Sequence, residues 1–313
     1  MLSFFFYMCF QVIWAQESKP IDILVISDLN GSYGSTSYSP ETHNATAHIL
    51  SQRPDLVLVT GDMVAGQKEN LPYNEMWEAF HRAVTLPLKE DRIPIAVSPG
   101  NHDASGYRKY QEERDIFVDQ WKEHKPNLAY IDDTNYPLYY AFMVEDVLLI
   151  SLDNTLLGGL QKKQKRWLDM MLSMPAKQKI VYGHLPLFPF AEGRGNESLM
   201  DFELEEILLR HNVDLFLSGH HHTYYPGYHN SIRYVSTPCL GSGPRFLMGA
   251  TERSKKGLVR IRIANNKIEV EGLNAREQFS IIPKSSLPSF IEYSGILIWR
   301  DDLALDIFSE KID

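Results

Sequence analysis

The sequence predicts an α/β protein in which polar loops follow the C-terminal ends of buried strands. Short apolar runs alternate with amphipathic helical spacing up to about residue 220, which is the pattern of strand–helix units. The later part of the chain turns to β, with Asn265-Asn266 as a hairpin turn. Five of the apolar runs end at residues that can bind a metal ion. In open α/β sheets ligands bind at the edge formed by the C-terminal ends of the strands, so the same pattern that predicts the fold also predicts a binding site.

Length and composition describe an ordinary globular chain. At 313 residues it fits one large domain or two small ones. Its 44% hydrophobic and 23% charged residues exclude a disordered or fibrous class. The net charge of −9 argues against a general nucleic-acid binder, which carries a basic face, so we expect no nucleic-acid-binding surface.

Residues 1–15 are nearly all apolar and indicate a signal peptide, with Ala15 as the last residue before cleavage. The run is shorter than the ~20 residues of a transmembrane helix. No Lys or Arg precedes it and Ile13 is larger than the small residue preferred there, so an uncleaved N-terminal membrane anchor is the alternative. We expect an exported protein, periplasmic or secreted, with no other transmembrane helix. Cleavage would leave Cys239 as the one cysteine, which excludes an intrachain disulfide.

The predicted elements can be given in chain order. Apolar runs predict strands at 21–26, 55–59, 93–97, 138–144, 147–152, 179–182, 214–217, 223–228, 232–235, 258–263 and 268–271. Helical spacing of apolar residues predicts helices over 41–51 and 107–118 and around Phe80, Leu168 and Leu208. Residues 276–313 are expected to be a C-terminal extension packed on the domain, and the apolar runs within it are assigned to no element.

Five of these strands end at side chains of metal-ligand type. The residues are Asp28 with Asn30, Asp62, Asn101 with His102, His184, and His220 with His222. Imidazole and carboxylate groups bind zinc, iron and manganese, and a pair of residues at i and i+2 points the same way. A glycine directly before four of these groups allows a sharp turn and leaves room for an ion. A His-rich triplet alone is equally typical of a solvated turn, but five such strand ends, expected on one sheet edge, favour a metal site.

The ordered blocks resemble the signature of the calcineurin-like metallophosphoesterases, which is D-x-H, G-D, G-N-H-D/E, G-H and G-H-x-H. The chain reads D-L-N at 28–30, G-D at 61–62, G-N-H-D at 100–103, G-H at 183–184 and G-H-H-H at 219–222. The resemblance covers about residues 21–275 and implies one catalytic domain there, folded as a four-layer α/β/β/α sandwich. It implies a phosphoesterase that hydrolyses small-molecule phosphate esters with two divalent or trivalent metal ions, Mn, Fe or Zn.

The resemblance also implies a role for each site residue. The metal ligands would be Asp28, Asn30 and His222 at the first site, Asn101, His184 and His220 at the second, and Asp62 as the bridge. A hydroxide that bridges the metals would be the nucleophile. His102 matches the family histidine beside the scissile phosphate, where it stabilises the transferring group or protonates the leaving oxygen. Asp103 would orient that imidazole.

Asn30 departs from the family pattern, which has a histidine ligand at this position. An amide oxygen is a poorer ligand than imidazole for iron or zinc, so the first site is expected to be looser, emptier or selective for another metal. The purple acid phosphatase branch compensates with a tyrosine three residues after the bridging aspartate, but this chain has Ala65 there. A catalytically weak metal-binding or scaffold protein that retains the fold is therefore the alternative to a phosphoesterase.

The residues do not separate a monoesterase from a diesterase. Arg194 and Arg245 lie in loops and are either substrate-phosphate ligands or solvated.

Overall fold

The computed structural model describes residues 19–241 and 243–304, and within these the chain forms a six-stranded and a nine-stranded sheet. The predicted signal peptide, residues 1–15, lies outside the described residues, as does the end of the C-terminal extension. Across 19–241 and 243–304, the helices are too short or too polar to cross a membrane.

Fifteen strands form the two sheets within the described part of the chain. In chain order they are β1 (Ile21–Ile26), β2 (Leu56–Val59), β3 (Ile95–Val97), β4 (Ala129–Asn135), β5 (Tyr139–Val144), β6 (Val147–Ser151), β7 (Gln178–Tyr182), β8 (Leu215–Ser218), β9 (Tyr225–His229), β10 (Ile232–Ser236), β11 (Gly257–Ala264), β12 (Lys267–Asn274), β13 (Ser280–Ile281), β14 (Phe290–Tyr293) and β15 (Ile296–Arg300). The six-stranded sheet has the order β13-β12-β11-β1-β2-β3, and the nine-stranded sheet has the order β14-β15-β9-β10-β8-β7-β6-β5-β4. The strands that precede the predicted site residues are parallel neighbours within each sheet, so their C-terminal ends lie side by side.

The helices connect these strands and cover the sheets. They are α1 (Pro40–Gln52), α2 (Tyr73–Phe80), α3 (Leu86–Glu90), α4 (Gln111–Glu123), α5 (Lys162–Leu172) and α6 (Phe202–Arg210), with a π-helical turn, His81–Thr85, between α2 and α3. Ser39 starts α1 because its side chain accepts a hydrogen bond from the amide of Thr42, and Pro40 has the fixed φ that suits the first helical turn. Asp201 caps α6 in the same way, through the amide of Leu204.

Alternation of buried residues in the nine-stranded sheet shows that the molecule has four layers. Leu149 on β6 packs in the cluster that contains the six-stranded sheet and helices α1, α2 and α4. Its neighbours Leu148 and Ile150 pack in a second cluster with Leu168 of α5 and Leu208 of α6. Since successive residues of a strand face opposite sides, the nine-stranded sheet lies between the six-stranded sheet and helices α5 and α6. The predicted four-layer α/β/β/α sandwich is therefore the observed fold.

Three elements differ from the sequence prediction. Helix α4 begins after a 3₁₀ turn at Arg108–Tyr110, four residues later than the predicted start at 107, and extends to 123, which buries Trp121. Strand β4 was not predicted, and its residues alternate between exposed and half-buried at the sheet edge. The unassigned residues after 289 form the hairpin β14–β15, whose turn residues Ser294 and Gly295 both have positive φ. Strand β15 pairs with β9 and extends the nine-stranded sheet.

Candidate metal centre

The predicted ligands come from the ends of two packed sheets. Asp28, Asp62 and Asn101 follow β1, β2 and β3 of the six-stranded sheet, whereas His184 and His220 follow β7 and β8 of the nine-stranded sheet. The expectation of a single sheet edge is therefore wrong. Two sheets packed face to face bring more loops to one place than a single edge can, so the site lies where the two sets of strand ends meet.

Asp28 and His222 form the first pair of donor atoms. Oδ1 of Asp28 lies 3.1 Å from Nε2 of His222, and both side chains are buried. The other carboxylate oxygen, Oδ2, accepts hydrogen bonds from the hydroxyl of Ser27 at 2.7 Å and from the amide of His220 at 3.1 Å. Oδ1 is buried and accepts no hydrogen bond of good geometry from the described residues, so the facing Nε2 of His222 is its polar neighbour. A metal ion bound there would take both Oδ1 and Nε2 as ligand atoms and would satisfy both.

Asp62, Asn101 and His184 form the second group. Nε2 of His184 lies 2.9 Å from Oδ1 of Asn101 and 3.4 Å from Oδ2 of Asp62. The other ring nitrogen of His184, Nδ1, lies 2.8 Å from the carbonyl of Thr60, which fixes the ring. Possible ligand atoms of Asp28, Asp62 and His184 all lie within 4.8 Å of one another. The two groups of donor atoms are therefore within reach of each other.

These distances fit metal coordination. Two ligand atoms that each lie about 2.0–2.2 Å from one ion are about 2.9–3.6 Å apart in octahedral or tetrahedral geometry. The separations of 2.9, 3.1 and 3.4 Å fall in that range. The oxygen and nitrogen donors suit manganese, iron and zinc. The residues present therefore fit the metal ions that the sequence predicts.

The pKa values of the histidines follow from the same contacts. Burial opposes protonation of both His222 and His184, but the charge of Asp28 raises the pKa of His222 to about 10, and that of Asp62 raises the pKa of His184 to about 9. Each ring thus takes a proton where no cation is bound. Metals bind neutral imidazole, so an ion in this place would replace these protons.

His220 has a partner that the sequence did not indicate. Its Nε2 lies 3.2 Å from Oε2 of Glu197, in the loop between β7 and α6, and Glu197 also pairs with Arg194. Burial lowers the pKa of His220 to about 4, although Glu197 acts in the opposite direction. The ring is therefore neutral, with Nδ1 as its nitrogen for a metal. Glu197 precedes no motif and follows no strand, so no sequence signal identified it.

Four of the candidate ligands have left-handed backbone conformations. The φ angles are 50° at Asp28, 55° at Asp62, 63° at His220 and 51° at His222. Such conformations cost of order 1–3 kcal/mol each for residues other than glycine, and they concentrate at functional sites. The sharp turns at these strand ends are therefore made largely by the ligand residues themselves.

The glycines before the ligands lie where a Cβ atom would collide with a neighbouring strand end. A Cβ atom on Gly100 would lie 2.1 Å from the amide nitrogen of Asp62, and one on Gly219 would lie 2.1 Å from the hydroxyl oxygen of Ser27. The predicted space for an ion against the backbone is thus occupied here by the neighbouring strand end. Glycine is needed because neighbouring strand ends approach closely, within the six-stranded sheet at Gly100 and between the two sheets at Gly219.

His102 lies at the cavity surface, but Asp103 does not contact its ring. Nδ1 of His102 lies 2.9 Å from the carbonyl of Gly66, and the amide of His102 donates to Oδ1 of Asp62. The carboxylate of Asp103 instead accepts from the amides of Val64 and Gly100, at 2.8 and 3.1 Å. The expectation that Asp103 orients the imidazole is wrong, because a carbonyl holds the ring and Asp103 ties together the loops after β2 and β3.

The site opens into a cavity of about 610 Å³. Of the predicted site residues, Asn30, Asp62, Asn101, His102, His220 and His222 line it, while Asp28, Asp103 and His184 are fully buried. Residues that the metal motifs do not include also line the cavity, namely Tyr33, Ala65, Gln67, Arg194, Glu197 and Arg245. The volume suits a small-molecule ligand.

His221 points away from the cavity, as expected. Its Nδ1 accepts the amide of Phe190 at 3.0 Å, and its Nε2 lies 3.2 Å from the carbonyl of Glu197. Both ring nitrogens thus hold the loop that carries Arg194 and Glu197. The middle residue of the G-H-H-H block therefore positions the loop at the cavity entrance.

Comparisons with known proteins identify the family and the fold. The family model described as calcineurin-like phosphoesterase matches residues 21–224. The DNA polymerase II small subunit of Thermoplasma acidophilum is 21% identical over 251 residues, which are 73% of this chain and 47% of that protein. The chain thus spans about half the length of this relative.

Two solved structures share the fold. A purple acid phosphatase from yellow lupin (Lupinus luteus) seeds superposes with a TM-score of 0.67 at 16% identity, over 85% of this chain and 53% of that one. A dimetal phosphatase from Danio rerio superposes with a TM-score of 0.56 at 13% identity, over 82% of this chain and 96% of that one. At these identities the likeness concerns the fold.

Proposed function

This chain belongs to the calcineurin-like phosphoesterase family, and we propose that it is a hydrolase that cleaves small-molecule phosphate esters with a dinuclear metal centre. The observation that carries the proposal is the convergence of donor atoms from five strand ends, including Oδ1 of Asp28 and Nε2 of His222 at 3.1 Å. The names of the structural neighbours, a purple acid phosphatase and a dimetal phosphatase, support it.

The residues divide into two sets of ligands. In the proposal, Asp28, Asn30 and His222 hold the first ion, Asn101, His184 and His220 hold the second, and Asp62 is shared. Bound there, a pair of divalent or trivalent cations such as Mn, Fe or Zn supplies Lewis acidity and lowers the pKa of water beside the phosphorus. Asp62 suits the shared position because a carboxylate between two cations reduces their repulsion.

His102 acts on the leaving group in this proposal. Its Nδ1–H donates to the carbonyl of Gly66, so Nε2 is the nitrogen that serves the cavity. When the ring is protonated, Nε2–H donates its proton to the leaving oxygen as the P–O bond breaks, and the ring becomes neutral. The amide of His102 also donates to Asp62, which keeps the imidazole beside the metal ligands.

The test combines metal analysis with turnover. Metal content is measured by mass spectrometry, and hydrolysis is measured with a chromogenic phosphomonoester and a chromogenic phosphodiester. We expect two ions per chain and turnover of at least one ester. Asp62→Asn should lose metal from both sites and nearly all activity, while circular dichroism shows a folded protein.

A matched control is Asp91→Asn, which removes an aspartate that pairs with exposed Arg53 and does not line the cavity. It should retain both metals and full turnover. Near-wild-type turnover and metal content in Asp62→Asn would contradict the dinuclear proposal. A wild-type protein that binds both ions but hydrolyses neither ester would instead support the catalytically weak alternative.

A further inference from the structure

Two arginines stand beside the same ligand histidine in the cavity. Arg194 comes from the loop between β7 and α6, and Arg245 comes from the loop after β10. Nη1 of Arg245 donates to the carbonyl of His220 at 2.5 Å. Arg194 pairs with Glu197, whose carboxylate lies 3.2 Å from the ring of His220. Arg245 is therefore held by a candidate ligand residue, and Arg194 is held by the carboxylate that faces the ring of that residue.

The charges of these arginines are only partly compensated. Among the described residues, no carboxylate lies within ion-pair distance of Arg245, which is half-buried. Arg194 and Arg245 line the same cavity, so an anion bound in it would interact with both guanidinium groups. Each guanidinium carries five N–H donors in a planar fork that matches an anionic oxo group. Glu197 compensates Arg194, so the charge that an anionic substrate group would compensate in this cavity is chiefly that of Arg245.

A different part of the cavity suits the leaving group. The ring of Tyr33 lies 5.6 Å from the ring of His102 and below the ammonium group of Lys68, at 5.9 Å. Because His102 is the proposed proton donor, the leaving oxygen lies on this side. The arginines contact His220 and Glu197, so they are available to a part of the substrate other than the leaving oxygen.

We propose that Arg194 and Arg245 bind a second anionic group of the substrate, a carboxylate or a second phosphate, in addition to the phosphate that reacts. This rests on the proposed function and deepens it, because it names the substrate class as phosphate esters with a second negative charge. A guanidinium that forms a bidentate pair with such a group gives both affinity and orientation. The cavity of about 610 Å³ has room for a small substrate of this kind.

The binding test uses two phosphonates that are not hydrolysed. Phosphonoacetate carries a carboxylate where 2-hydroxyethylphosphonate carries a CH₂OH group, so the pair differs by one negative charge. Isothermal calorimetry on metal-loaded protein should show that phosphonoacetate binds at least about 10-fold more tightly, as expected for charge-assisted hydrogen bonds. Arg194→Gln and Arg245→Gln should each reduce this ratio, and the double variant should bring it close to one.

The matched control is Arg253→Gln. Arg253 is exposed in the loop that carries Arg245, donates to the carbonyl of Pro244 and does not line the cavity. It should leave the ratio unchanged, whereas Arg245→Lys should retain part of the preference because it keeps the charge but loses the fork. The affinity ratio compares two phosphonates on one protein sample. A variant that holds less metal therefore has a smaller binding-competent fraction for both ligands, and the ratio does not change.

The kinetic test compares 3-phosphoglycerate with glycerol 3-phosphate, which differ in the same way. We expect kcat/KM to be higher for 3-phosphoglycerate and the arginine variants to lose that advantage selectively. Equal kcat/KM for the two esters together with equal phosphonate affinities would overturn the second-anion proposal while phosphoesterase activity stands. If the arginine variants lower kcat/KM by the same factor for both esters, the arginines bind the reacting phosphate, and the second-anion proposal is also overturned. Hydrolysis of neither these esters nor the chromogenic esters, with the phosphonoacetate preference intact, would contradict the proposed function but support the anion site.

Discussion

Replacement of Glu197 by glutamine should weaken one metal site and leave the other unchanged. Glu197→Gln keeps the size of the side chain and removes the negative charge that lies 3.2 Å from Nε2 of His220. A carboxylate in this position fixes the tautomer and orientation of a ligand imidazole and makes it more basic. His220 belongs to the second proposed site, whereas the first-site ligands Asp28 and His222 contact each other and not Glu197. The loss should therefore be confined to the second ion.

The expected size follows from the exposure of the pair. Groups that support a metal ligand change metal affinity by about 10–100-fold, which is about 1.4–2.7 kcal/mol. The side chain of Glu197 is 33% exposed and shares its charge with Arg194, so solvent and the guanidinium weaken its effect on His220. We therefore expect a loss near the lower limit, about 10-fold for the second ion.

The assay is metal content after dialysis against graded concentrations of a chelator. The variant should release one ion at about 10-fold lower chelator strength than wild type and release the other ion as wild type does. Glu192→Gln is the control, since Glu192 lies in the same loop and accepts a hydrogen bond from the amide of Gly249. Identical release curves for Glu197→Gln and wild type, or equal weakening of both ions, would refute the reasoning.

Three further predictions concern single residues. His102→Ala should lower kcat by about 10²–10⁴ with both metals retained, because the ring donates a proton and does not hold an ion; metal loss in that variant would make His102 a ligand. Asn30→His should tighten the first site by about 1–3 kcal/mol, and wild-type activity should rise with added Mn²⁺; two tightly held ions and no response to Mn²⁺ would exclude a weak first site. Burial, aided by the charge of His124, lowers the pKa of His81 to about 3. As the pH falls below about 6.5, a proton therefore binds His81 in the unfolded chain but not in the folded protein. The folded protein loses stability toward acid pH as a result. Between pH 7 and pH 5 this loss of unfolding free energy is about 2 kcal/mol. Urea unfolding should show a smaller loss in His81→Gln and an unchanged loss in His43→Gln, which alters an exposed histidine. Equal pH dependence in wild type and His81→Gln would show that His81 does not contribute.

The sequence predicted the strands that carry the site because their signals are local. The run over residues 21–26 is apolar except for Asp22, as expected of a strand that is largely buried on both faces, and β1 occupies those residues. The same reading failed for β4, Ala129–Asn135, whose edge position leaves it largely exposed and without an apolar pattern. The hairpin β14–β15 has apolar residues, but its place beside β9 depends on a pairing between residues far apart in the chain.

The partners of the site residues were decided by the tertiary structure. Asp103 is next to His102 in the chain, yet its carboxylate reaches the amide of Val64, because the loops after β2 and β3 lie against each other. Glu197 and His220 are 23 residues apart and meet only because His221 holds the intervening loop in place. Neither contact has a spacing or a period that a sequence could display.

The sequence by itself determined which chemical groups follow which strand, and therefore that carboxylate, amide and imidazole donors are available together. The residues of a strand and the residues at which it ends are adjacent in the chain, so both can be recognised without knowledge of the fold. The tertiary structure decided that the donors come from two sheets, that Oδ1 of Asp28 faces His222, and that Arg194 and Arg245 line the same cavity. These arrangements depend on how two twisted sheets pack and how long loops close over them, and packing of distant segments leaves no local pattern in the chain.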